Sequence, residues 1–129
     1  MGNPISTGVV AIVDDDEAIR TAFGRLVRTI GYKPRTFGSG EQLLACIDDL
    51  RPACVLTDIQ MPGMTGIELA YTLRLALPAL PIAVMTAYPS LIAHDPGLQA
   101  RRIEYMEKPL DDCRLEEWLT AEIGAPSDS

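Results

Sequence analysis

Short apolar runs alternate along this chain with stretches of helical periodicity, and that alternation constrains the fold more than any other feature. "VVAIV" (9–13) is a continuous apolar run, the pattern of a strand buried on both faces. Ile19, Ala22, Phe23, Leu26, Val27 and Ile30 then recur at helical spacing, with Gly31 as a C-terminal stop. "KPRTF" is a weaker strand whose proline suits a sheet edge. "SGEQLLACIDDL" opens with a capping box from Ser39 to Gln42 and sets Leu43, Leu44 and Ile47 on one face. "ACVLTD" is a buried strand ending in Asp58, and Thr65 with Glu68 makes a second capping box for "GIELAYTLRLAL". "PIAVMT" and "IEYM" are the fourth and fifth strands. Leu115, Trp118, Leu119 and Ile123 line the apolar face of a last helix. Strands joined through helices by short links pair in parallel, so an open, doubly wound α/β sheet is expected.

At 129 residues the chain is read as a single domain, with a core over about 8–123 and flexible tails at 1–7 and 124–129. No apolar run approaches the roughly 20 residues of a membrane helix. The leader "MGNPIS" fits an N-myristoylation pattern but reads as a polar tail. A net charge of −7, with 11 Lys+Arg spread along the chain, argues against direct nucleic-acid binding. Cys46, Cys54 and Cys113 lack metal-site spacing and form an odd set, which indicates apolar filler in a reducing, cytoplasmic setting. His94 lies in a polar segment and is expected to be exposed.

In a doubly wound sheet, chemistry gathers outside the carboxyl ends of the strands. The first strand is followed by Asp14, Asp15 and Asp16, the third ends in Asp58, the fourth ends in Thr86, and the fifth is followed by Lys108-Pro109. Adjacent carboxylates repel, so either a positive group meets them or they are solvated at a helix start. Carboxylates at a strand rim suit a hard divalent cation such as Mg²⁺, and an aspartate beside one can act as a nucleophile that forms an aspartyl-phosphate. Lys108 offers a point charge and Thr86 a hydroxyl to the phosphoryl group. Asp16 and Glu17 stand in the first turn of a helix, where the dipole favours negative charge.

"IVDDDEAIR", "VLTDIQMPGMTGIEL", "VMTAY" and "EYMEKPL" together resemble the receiver domain of two-component response regulators, in order and spacing over nearly the whole chain. The resemblance implies a flavodoxin-like five-stranded sheet of order 2-1-3-4-5 with helices on both faces. It implies that Asp58 accepts a phosphoryl group from a sensor histidine kinase or a histidine phosphotransfer protein. Asp14, Asp15, Asp58 and the backbone carbonyl of Gln60 would hold Mg²⁺. Lys108 would contact the phosphoryl group, with a cis bond to Pro109. Thr86 would swing toward the phosphoryl oxygen on activation and Tyr105 would follow it inward. Residues at the positions of Gln60 and Tyr88 help set the hydrolysis rate in this family. Such a chain is a signalling switch rather than an enzyme, and a monomer or weak homodimer is expected, with an output partner that the sequence leaves open.

The chain departs from the family between its fourth and fifth strands. Pro89, Pro96 and Gly97 argue against a full helix there, and Arg101 and Arg102 stand where a small Gly-Ala pair is usual. A short or displaced fourth helix with elevated mobility is expected. With the sequence ending shortly after the last helix, a receiver without an output domain is expected, either stand-alone or as an excised fragment. Two other readings compete. One is a pseudo-receiver, an interaction module that is not phosphorylated. The other is a small haloacid-dehalogenase-type phosphatase, in which Asp14 and Asp16 would form the Asp-x-Asp pair.

Overall fold

The computed structural model describes residues 8–88, 90, 92 and 95–125; the expectations for His94, Pro89 and most of the tail residues lie outside these. Elements alternate as β1 (Val9–Val13), α1 (Glu17–Ile30), β2 (Lys33–Phe37), α2 (Gly40–Leu50), β3 (Cys54–Asp58), α3 (Gly66–Ala76), β4 (Ile82–Thr86), α4 (Pro96–Ala100), β5 (Glu104–Glu107) and α5 (Asp112–Ile123). All neighbouring strands pair in parallel, in the order β2-β1-β3-β4-β5. The expected flavodoxin-like topology is therefore present.

The period-2 geometry of the central strands divides the core into two layers. Ala11, Val13, Val55 and Val84 face Leu43 of α2, Leu69 and Leu73 of α3 and Leu98 of α4. Val10, Ile12, Leu56 and Met85 face Phe23 and Val27 of α1 and Leu115, Trp118 and Leu119 of α5. Each fully buried Leu or Ile contributes about 1.5–3 kcal/mol of transfer free energy, so both layers are needed to hold the strand ends in register. Cys54 lies within the second layer, where burial pushes its thiol well above the ordinary range, as fits apolar filler. Cys113, by contrast, is exposed and fills no core space.

Several helix ends match their sequence signals. Gly31 closes α1 at φ 118°, a left-handed conformation that suits glycine. Thr65 and Glu68 form a complete capping box. The Ser39 box is only half made: Ser39 accepts from the Gln42 N–H, but the Gln42 side chain turns to the N–H of Gly38.

The fourth helix is short, as expected. Pro96 and Gly97 do not break the helix; they begin it, with Asp95 as N-cap and Pro96 in the first turn, where a missing N–H is harmless. The following Arg101 and Arg102 are fastened to α3. The Arg101 guanidinium stacks on Tyr71 at 4.2 Å. Arg74 donates to the carbonyls of Arg101 (2.8 Å) and Arg102 (3.2 Å), and also to those of Leu77, Pro78 and Leu80.

Candidate functional site

The carboxyl ends of β1, β3, β4 and β5 form one rim. Asp14 leaves β1 buried, with its N–H donating to the carbonyl of Phe37 at 3.1 Å. Its two carboxylate oxygens have separate partners. Oδ1 accepts from the Asp16 N–H at 2.9 Å, and Oδ2 lies 3.0 Å from Lys108 Nζ. Asp58, the last residue of β3, is 8% exposed, and its Oδ1 lies 2.9 Å from the same ammonium. Asp15 is exposed and completes the group: one oxygen from each of Asp14, Asp15 and Asp58 lies within 4.8 Å of the others. The structure therefore brings together the three carboxylates and the lysine that the sequence placed at this rim.

Lys108 reaches the rim because its N–H extends the β4–β5 pairing to the carbonyl of Thr86 (2.8 Å), and its bond to Pro109 is cis. Burial raises the Asp58 carboxyl above its ordinary range, and neighbouring Asp14 and Asp15 push the same way against the bond to Lys108. Burial works against the Lys108 charge, but the bonds to Asp58 and Asp14 outweigh it, and the ammonium is held above its usual range. Three carboxylates against one ammonium leave an excess of negative charge on hard oxygen donors. That donor set fits a divalent cation of the Mg²⁺ type.

The remaining predicted residues surround this group less directly. Thr86 ends β4, is buried, and accepts from the Tyr88 N–H at 2.9 Å, so its own proton is left to donate elsewhere. Tyr88 is 56% exposed. Tyr105 is half-buried in β5 against the α3–α4 layer. Gln60 is exposed in the turn after β3. Asp16 is not part of this carboxylate group. It caps α1 by accepting from the N–H groups of Ala18 and Ile19, which leaves no Asp14–Asp16 pair for the phosphatase reading.

Two supporting residues escaped the sequence reading. A Cβ on Gly66 would stand 2.0 Å from the Asp58 carbonyl oxygen, so only glycine lets α3 start directly against the acidic strand end. Thr57 Oγ1 donates to that same carbonyl at 3.0 Å. A glycine at the first helical position, where no turn demands it, was the available signal for the first. The second, a hydroxyl in a strand, carries none.

A sequence model of the response regulator receiver domain matches residues 10–120. The chain belongs to the receiver-domain family. This receiver is 36% identical over 104 residues to the DNA-binding transcriptional regulator NtrC of Salmonella typhimurium, a match covering 81% of this chain and 22% of NtrC. It is 28% identical over 116 residues to the transcriptional regulatory protein FixJ of Bradyrhizobium diazoefficiens, covering 90% of this chain and 57% of FixJ. The chain thus spans about a fifth of the one relative and somewhat over half of the other. The solution structure of the apo NtrC receiver domain superposes with a TM-score of 0.80 at 34% identity, covering 90% of this receiver and 94% of that domain. Among the described residues no helix is long and apolar enough to cross a membrane.

Proposed function

We propose that this receiver is the phosphorylatable switch of a two-component phosphorelay, with Asp58 as acceptor and a sensor histidine kinase or histidine phosphotransfer protein as donor. The observation that carries the reading is the position of Lys108 Nζ, bonded to Asp14 at 3.0 Å and to Asp58 at 2.9 Å within one group of three carboxylates. An Asp58 carboxylate oxygen attacks phosphorus, so that an O–P bond forms while the P–N bond of the phosphohistidine breaks and its electron pair returns to the imidazole. Such a transfer needs positioning and charge neutralisation more than covalent machinery. Asp14, Asp15, Asp58 and the Gln60 carbonyl would hold Mg²⁺, which when bound offsets charge on the transferring group. Lys108 pairs with a phosphoryl oxygen, Thr86 donates its hydroxyl to another, and Tyr105 moves inward behind it. The phosphoryl contacts favour one of two conformations, and the output partner reads that state. Acceptance and self-catalysed hydrolysis are the only chemistry required. A net charge of −7 disfavours direct contact of these residues with nucleic acid.

Incubation with acetyl phosphate and Mg²⁺ followed by intact mass measurement tests this. Wild type gains the mass of one phosphoryl group and Asp58→Asn gains none. Equal labelling of the two proteins would move the acceptor elsewhere. The absence of any labelling, together with no Mg²⁺-dependent beryllofluoride binding, would favour an inert interaction module.

A further inference from the structure

Lys108 reaches Asp14 and Asp58 from β5, and a second cation approaches the same loop from within the segment that carries the aspartates. Arg20, in α1, has no carboxylate partner among the described residues; its Nη1 donates to the main-chain carbonyl of Asp14 at 2.7 Å. The Asp14 N–H is bound to the Phe37 carbonyl at 3.1 Å, so both main-chain polar groups of Asp14 are tied, one to β2 and one to α1. On its other side Arg20 abuts the β2–α2 turn. A Cβ on Gly38 would stand 3.3 Å from Arg20 Nη1 and 3.8 Å from Cζ. Gly38 is itself fixed, its N–H donating to Gln42 Oε1 at 2.9 Å. The guanidinium is therefore wedged between the acidic loop and a braced turn.

We propose that Arg20 is a positioning residue for divalent-cation binding. By holding the Asp14 carbonyl it fixes the backbone from which the Asp14 carboxylate reaches the shared group, whereas Lys108 holds the carboxylate itself. Groups that orient metal-ligating residues influence affinity without touching the ion. The inference rests on the Mg²⁺-binding reading above.

Calorimetric titration of the full chain with MgCl₂, without any phosphodonor, tests it. Wild type binds saturably, and Arg20→Gln binds about tenfold more weakly. Arg20→Lys falls between them, keeping the charge but losing the planar fork. Gly38→Ala leaves every charge in place and crowds the guanidinium, and it weakens binding in the same direction. In the metal-free proteins, the amide resonances of residues 14–16 shift in Arg20→Gln and in Gly38→Ala. Wild-type affinity in both variants would overturn the proposal. A loss in Arg20→Gln with none in Gly38→Ala would reduce Arg20 to a bare charge and overturn the positioning role. If Arg20→Gln fails to fold, Arg20→Lys and Gly38→Ala carry the test. No saturable binding by wild type would remove the proposal together with the reading beneath it, an outcome distinct from the other two.

Discussion

Two cations, Lys108 and Arg74, gather oxygen atoms at opposite ends of the sheet, and they do so in different ways. Lys108 stands at the carboxyl end of β5 and bonds to the side-chain carboxylates of Asp14 and Asp58. Arg74 stands at the amino end and bonds to main-chain carbonyls that precede β4 and β5, among them those of Leu80 and Arg102. Carboxylates titrate and accept phosphoryl groups, whereas amide carbonyls do neither at ordinary pH. Burial and the nearby Arg102 charge lower the Arg74 pKa, but a guanidinium starts high enough to stay protonated. The carboxylate hub can therefore be rearranged by chemistry. The carbonyl hub holds the segment between α4 and β5 against α3 through bonds that involve none of the rim residues.

The sharpest way to break this division is to remove each cation. Arg74→Ala strips its carbonyls of a charged donor and is expected to lower unfolding stability by about 2–3 kcal/mol, read from urea denaturation. Acetyl phosphate should still label the variant fully at temperatures where it is folded. Lys108→Ala should differ in labelling, which collapses, and it also lowers stability, because it leaves the buried Asp14 and Asp58 carboxylates without their cation. Loss of labelling in folded Arg74→Ala would mean that the two hubs are coupled.

The two hubs also differ in how legible they are. The rim follows from the sequence because a parallel sheet delivers its strand ends to one edge, so "VVAIV" before Asp14 and "ACVLTD" up to Asp58 locate the carboxylates without knowledge of any contact. The same alternation indicates strands and helices correctly at nearly every element. Arg74 was not legible. In "LAYTLRLAL" it is one polar residue in a helical pattern, and its important partners are main-chain atoms 27 and 28 residues away that have no residue-type signature. Arg20 is hidden in the same way, since a bond to the Asp14 carbonyl leaves no trace in side-chain chemistry.

A smaller effect separates the hubs by pH. The Asp58 carboxyl titrates above its ordinary value in the folded chain, with burial the main cause. As pH rises through the ordinary carboxylate range, the unfolded chain loses this proton before the folded one does. Asp58 therefore contributes fully to stability below its unfolded value, and that contribution is lost as pH climbs through the folded one. The Lys108 shift is also upward, so its contribution persists through neutral pH and fades only in strongly alkaline solution. Asp58→Asn, which cannot ionise, is expected to be more stable than wild type at pH 7 in the absence of divalent cations, with the advantage disappearing near pH 4. Arg74→Ala should instead lose the same stability at both pH values. Thermal unfolding at the two pH values measures both, and an Asp58→Asn chain less stable than wild type at pH 7 would mean that the Lys108 bond outweighs the burial of the charge.

The smallest expected effect concerns a side chain beside the switchable rim rather than within it. Tyr88 follows β4, and its N–H, not its ring, bonds to Thr86 Oγ1 at 2.9 Å. Tyr88→Ala therefore keeps the contact that fixes Thr86 and removes only a bulky, half-exposed ring. If that ring screens the acceptor from water, its removal speeds dephosphorylation by about threefold, which corresponds to well under 1.4 kcal/mol of barrier. The rate is read from the decay of the phosphorylated mass after the phosphodonor is removed. Because the main-chain bond survives the substitution, unfolding stability should stay at the wild-type value, and this keeps the result from being confused with a loosened β4 end. An unchanged decay rate would show that water reaches the phosphoryl group by a path the ring does not cover, leaving Gln60, on the turn after β3, as the residue to vary next.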